Sequence, residues 1–294
     1  MLGTRAIIFK SVAVLRAALP EPLEPGILAM PEQDLPMQSS ASTYPNAAPS
    51  RALLLLEMRA FWELGAFFAM APLLRLAPRG DGHPVLVLPG LAADDSATLP
   101  LRAFLKDRGY HAHGWKLGTN NGPRPGVEEK MLARLAELAD RHQRKVGLIG
   151  CSLGGVFARE LTRRAPAQVR AVITLGSPFA GEPRASNAWK LYERLSQRKA
   201  DDWPERERMR TAPPVPCTAI FSRSDGIVAW QGCMEQEGPA AENIEVQGSH
   251  CGLGHNPTVL YAVADRLAQP EGQWRRFDRG GARGLVYPDP GRTN

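Results

Sequence analysis

Gly150-Cys151-Ser152-Leu153-Gly154-Gly155 limits what this chain can fold into more than any other stretch. It follows Lys145-Val146-Gly147-Leu148-Ile149, an apolar run of strand length. It precedes an amphipathic pattern, from Val156 to Leu161 and beyond, that stops before Pro166. A G-x-S-x-G between a strand and a helix makes a sharp turn that lifts one hydroxyl above the sheet. At such a turn the backbone crosses so close to its neighbours that a side chain at 150 or 154 would collide. The competing reading is an ordinary strand-to-helix turn that contains a serine. With strand and helix both in position, Ser152 is the candidate nucleophile.

The rest of the chain repeats the same rhythm. Apolar runs of strand length fall at 84–88, 109–115, 169–176, 218–221 and 243–246, and helical patterns fall at 99–108, 127–144 and 257–267. Strands alternating with helices over these distances imply an α/β domain with a mostly parallel sheet covered on both faces. Residues 51–270 form that domain, interrupted at 180–216 by an insertion that leaves the rhythm and falls where a cap over the strand ends would lie. Residues 1–50, rich in Pro, Ser and Ala, read as a disordered leader, and 271–294, rich in Gly, Pro and Arg, as a loose tail.

An acid and a histidine complete the nucleophile's chemistry. Asp225 follows the run at 218–221 and His250 follows the run at 243–246, so both gather with Ser152 at the carboxyl edge of the sheet. Histidine takes the proton from the attacking serine, and the aspartate fixes the imidazole tautomer and stabilises its cation. Pro89-Gly90-Leu91 ends the first strand, so the backbone N–H groups of Leu91 and Leu153 are the candidate donors to an oxyanion. Asp94 and Asp95 lie in that same loop and compete with Asp225 for the role of acid.

Other features carry less. His111 and His113 alternate onto one strand face, but no local carboxylate or cysteine joins them, so they read as strand-surface histidines and no metal or cofactor is implied. Four cysteines are too few for a disulfide scaffold and lack metal-finger spacing. Cys151 and Cys217 read as buried thiols. Cys233 and Cys251 lie in loops leaving neighbouring strand ends, so a disulfide between them is feasible. It would clip the acid and base loops together and contribute roughly 3 kcal/mol if unstrained.

Residues 51–76 are strongly apolar, interrupted by Glu57, Arg59 and Glu63, and read as a helix packed on the core; an interfacial anchor or a wall of the acyl site is the alternative. The apolar runs there and in residues 1–20 are too short or too broken to span a bilayer, and the latter lacks the uninterrupted core of a secretory signal. Weak membrane-surface association through a basic amphipathic segment is compatible with them. Localisation and oligomeric state are left open, with the cytoplasm or a membrane periphery favoured over export. A net charge of +6 at 22% charged residues is explained by helix faces and tail, and no nucleic-acid motif accompanies it.

Four pieces, in order and correctly spaced, carry a resemblance. They are Leu88-Pro89-Gly90-Leu91, Gly150 to Gly155, Ser224-Asp225-Gly226-Ile227-Val228 and Gly248-Ser249-His250-Cys251-Gly252-Leu253. From about residue 53 to 278 the chain resembles the bacterial lipase/esterase branch of the α/β-hydrolase superfamily. That resemblance implies the α/β-hydrolase fold and a carboxylic-ester hydrolase acting on a small acyl ester or lipid, without a cofactor. An acyltransferase or thioesterase would use the same three residues, and a non-catalytic binding protein on the scaffold is a third reading. The chain departs from the commonest pattern at Pro89, where many relatives have a histidine that braces the oxyanion loop. Some polyester synthases of the superfamily carry cysteine at the central elbow position, which here is Ser152, and this argues against a synthase.

Overall fold

The computed structural model describes residues 47–202 and 206–292. Six strands, β1 (Pro84–Leu88), β2 (His111–Gly114), β3 (Val146–Cys151), β4 (Val169–Leu175), β5 (Cys217–Phe221) and β6 (Ala241–Glu245), form one parallel sheet. Their spatial order is β2-β1-β3-β4-β5-β6. After β2 the chain crosses back over β1 to start β3, and this reversal leaves the ends of β1 and β3 side by side. A crevice at the carboxyl ends is the usual consequence of such a reversal.

The period of two along each strand sorts its side chains onto two covered faces. On one face Val85, Val87, Ile149 and Ile173 pack with α2 (Ala60–Leu74), α3 (Leu99–Asp107) and α8 (Pro257–Leu267). On the other, Leu86, Leu88 and Leu148 pack with α4 (Val127–His142) and α5 (Leu153–Arg164). Residues 180–216 hold two short helices, α6 (Trp189–Ser196) and α7 (Arg206–Arg210), above the end of β3. Arg159 of α5, wholly buried, pairs with Glu235 and donates to Met209 O and Thr211 O at 2.8 Å, tying this insertion to the core.

The apolar N-terminal stretch forms α1 (Arg51–Leu56), a 3-10 turn (Glu57–Arg59) and then α2. Ser50 caps α1 through Leu53 N, and α2 buries Ala60, Leu64 and Leu74 against the body. No described helix is long and apolar enough to cross a membrane. The leader expected over residues 1–50 lies, up to residue 46, outside the described residues.

The expected loose tail is instead packed. Phe277 and Tyr287 are buried in the cluster that holds α8, and a short helix, α9 (Arg283–Val286), precedes Tyr287. Part of this packing is against the edge strand. β6 carries Glu242 and Glu245, both buried, and buried carboxylates need partners. Glu242 pairs with Arg266 and Glu245 with Arg223, and the tail adds Phe277 N, which donates to Glu242 at 2.7 Å, and Arg292, which pairs with Glu245 at 2.7 Å. Composition alone hid two aromatic anchors among the glycines and prolines.

Candidate active site

Ser152 has φ 50° and ψ −123°, a region that non-glycine residues rarely occupy and that costs about 1–3 kcal/mol. Its neighbours allow it. A Cβ on Gly150 would lie 2.2 Å from Gly155 Cα, and one on Gly154 would lie 2.4 Å from Leu88 O. These contacts are with backbone, so neither position tolerates a side chain. Ser152 N donates to Leu175 O at 2.8 Å, which anchors the turn to β4. Burial pushes the thiol of Cys151, next to it, up to about 12.

Asp225 and His250 are brought together. His250 Nδ1 lies 2.6 Å from Asp225 Oδ2, and the other carboxylate oxygen accepts from Ile227 N and Val228 N, each at 2.8 Å. Two backbone donors thus aim one oxygen away and present the other to the imidazole. Burial works against a charged His250, but the Asp225 carboxylate, its hydrogen bond and the Glu57 charge outweigh it. The imidazole pKa is held above the ordinary histidine value. Asp94 and Asp95 do other work. Asp94 accepts from Ser96 N and Oγ, while Asp95 accepts from Trp115 N and Lys116 N at 3.0 and 3.1 Å.

The expected disulfide is not formed: Cys233 and Cys251 are both free. Cys233 is buried in an apolar cluster with Leu54, Phe221, Ile227 and Val228, where its thiol packs as a small hydrophobe. A carboxylate clips the two loops instead. Glu57, fully buried, accepts from Gly226 N at 2.8 Å on the acid loop, and from His250 N at 2.9 Å and Cys251 N at 3.0 Å on the base loop. Arg59 donates to Ser224 O and Oγ and to Gly248 O, and Glu63 accepts from Ser249 N at 2.8 Å and from Ser249 Oγ. Gly226 lets this helix approach, since a Cβ there would lie 2.2 Å from Leu53 O. The sequence signal was available: charged residues inside a run that otherwise reads as buried must find partners.

The loop after β1 holds Leu91, and Leu153 opens α5. Their N–H groups donate to no protein acceptor among the described residues. A Cβ on Gly90 would come 3.2 Å from Ser152 Cβ, so the two turns are in near contact. Asn120, which the sequence analysis does not single out, ties the loop after β1 to its own turn. Wholly buried, it donates from Nδ2 to Pro89 O at 2.8 Å and accepts from Gly122 N at 3.0 Å. Its backbone bonds Ala92 N and Ala93 O at 2.7 Å each.

Ser152 stands between two cavities. One runs under the insertion and is lined by Leu91, Val156, Phe179, Trp189, Tyr192 and Met209, so it is apolar. The other lies on the side of His250 and is lined by Ala97, Cys151, Leu253 and His255 among others. His111 and His113 stand away from both, on β2. There His113 Nε2 lies 3.0 Å from His142 Nε2, and the His111 and His142 rings are 4.8 Å apart, but among the described residues no group of three His, Cys, Asp or Glu side chains is placed to hold a metal ion.

No family model matches the chain, and no curated protein does. Solved structures do. Lipase B of Aspergillus fumigatus matches at 17% identity with a TM-score of 0.52 over 65% of this chain. That match covers 53% of the fungal chain, so this chain spans about half the length of its relative. Bacillus licheniformis lipase BlEst2 in mature form matches at 18% identity and a TM-score of 0.47, over 65% of this chain and 94% of that one. The monoacylglycerol lipase of Paleococcus ferrophilus matches at 15% and 0.47, over 63% and 96%. Identities this low bear on the fold alone, and the fold is that of the α/β-hydrolases.

Proposed function

We propose that this α/β-hydrolase chain is a serine hydrolase that cleaves carboxylic esters through an acyl-enzyme. The observation that carries the reading is the convergence at one cavity of a strained serine and a histidine whose Nδ1 is bonded to a buried aspartate. With Nδ1 held by Asp225, Nε2 of His250 is the nitrogen left to take a proton. Ser152 Oγ attacks the ester carbonyl carbon as its proton passes to Nε2. The negative oxygen of the tetrahedral intermediate is met by the N–H groups of Leu91 and Leu153. Collapse expels the alcohol, protonated by His250, and a water activated by the same imidazole then releases the acid.

The apolar cavity beneath residues 180–216 suits the acyl group, and burial of its methylenes there contributes about 0.8 kcal/mol each. The cavity beside His250 suits the leaving alcohol. The test is hydrolysis of p-nitrophenyl esters of increasing chain length by the full chain and by Ser152→Ala. Turnover by the former and loss of at least about 1000-fold in the latter, with unchanged circular dichroism, is the expected result. Retention of most activity by Ser152→Ala would end the proposal.

A further inference from the structure

The helix pair behind the acid and base loops is apolar on its outward side as well as on the side that buries Leu54, Ala60, Leu64 and Leu74. A helix on a protein surface ordinarily buries its apolar stripe and shows water its charges. Over residues 51–79 the acids Glu57 and Glu63 and the base Arg59 face inward, committed to the loops that carry Asp225 and His250. The outward face is apolar. Trp62 is 82% exposed, Leu76 79% and Leu55 67%, and Leu56, Phe68 and Leu73 are also more than half exposed. Trp62, Gly65, Ala69, Leu73 and Leu76 are all exposed and recur at steps of three and four, so they form one stripe along α2 and its end.

The exposed charges on this segment are Arg51, Arg75 and Arg79, all basic, and none makes an ion pair among the described residues. We propose that this face docks the protein on the surface of an anionic phospholipid bilayer, with α1 and α2 lying in the plane of the interface. Apolar side chains led by a tryptophan and flanked by arginines match both parts of that surface, the acyl boundary and the negative headgroups. The 15 residues of α2 rise only about 22 Å, too short to span. A second copy of the chain fits worse, because it would set arginines against arginines with no acid on either face to pair them. Docking would bring the bilayer to within about one helix diameter of the His250 cavity, since His255, which lines it, bonds Ala60 O on the underside of α2.

This inference does not depend on the ester-hydrolase reading, and its assay reads binding. The full chain is sedimented with vesicles of phosphatidylcholine alone or mixed with phosphatidylglycerol, at low and high salt. Wild type should partition onto the mixed vesicles, several-fold less onto neutral ones, with binding falling about fivefold for each arginine changed to glutamine. The variant W62E/L73E, altered only at exposed side chains, should lose binding at least about tenfold while keeping its circular dichroism and its turnover of a soluble short ester. Wild type remaining in the supernatant with every vesicle would overturn the proposal and leave residues 1–46 or another partner as the cover. So would equal binding by W62E/L73E. A dimer in analytical ultracentrifugation that W62E/L73E dissociates, without vesicle binding, would assign the face to a second copy.

Discussion

Glu57→Gln is the perturbation that tests how the site is held together. The carboxylate accepts three backbone N–H groups at 2.8–3.0 Å, two on Oε1 and one on Oε2, and it is fully buried. Glu57→Ala would strand all three donors. At about 1–3 kcal/mol each, the total approaches the whole stability of a domain, so a dead alanine variant would say nothing about function. Glutamine keeps the shape and the two bonds to Oε1 but turns an NH₂ toward Cys251 N. The cost is one charge-assisted bond, about 2 kcal/mol, which should lower Tm by about 4–8 °C. With the base loop loosened, a displacement of about 1 Å at the imidazole should reduce kcat between about 10- and 100-fold, with KM of a short ester little changed. The pH profile separates this from a merely structural effect. His250 acts as a base only when neutral, so activity rises with pH through its pKa, which is raised above 6.5 in the intact protein in part by the Glu57 charge. Removing that charge lowers the pKa, and the acid limb of kcat/KM should move to lower pH. Stopped-flow or steady-state ester hydrolysis from pH 5 to 9 measures both. An unchanged kcat with an unmoved limb would refute the bracing role of Glu57.

Asp225→Asn should lower kcat by about 10⁴-fold through loss of the required tautomer, whereas Asp95→Asn should cost stability and far less turnover; the reverse result would reassign the acid. Asn120→Ala leaves Pro89 O and Gly122 N without their side-chain partner, and should reduce kcat about tenfold through the slackened Leu91 loop; kcat within twofold of wild type would show that proline at 89 needs no such brace. Ala200→Leu fills the apolar cavity beneath the insertion and should cut turnover of long-chain esters at least about tenfold while sparing the acetate ester, and equal loss on both would mean that this cavity does not hold the acyl chain.

What the sequence by itself determined was everything local in cause. The alternation of strand and helix, the glycines that permit the turn at Ser152, and the positions of Asp225 and His250 just beyond strand ends are each written within a dozen residues. Short-range sterics and hydrophobic periodicity decide them. What only the tertiary structure decided was which distant groups share a buried contact. Cys233 and Cys251 follow neighbouring strands, yet their loops leave in directions that bury one thiol among Leu54 and Phe221 and leave the clipping to Glu57, almost 200 residues away along the chain. Asn120 bonds the loop after β1 because its turn comes to lie against Pro89 O. The tail lies against β6, an edge strand, where it adds partners to two buried carboxylates and buries Phe277 and Tyr287. These polar contacts meet one requirement, that a buried polar group find a partner. Sequence shows that such a group exists; only the assembled chain decides which partner is within 3 Å.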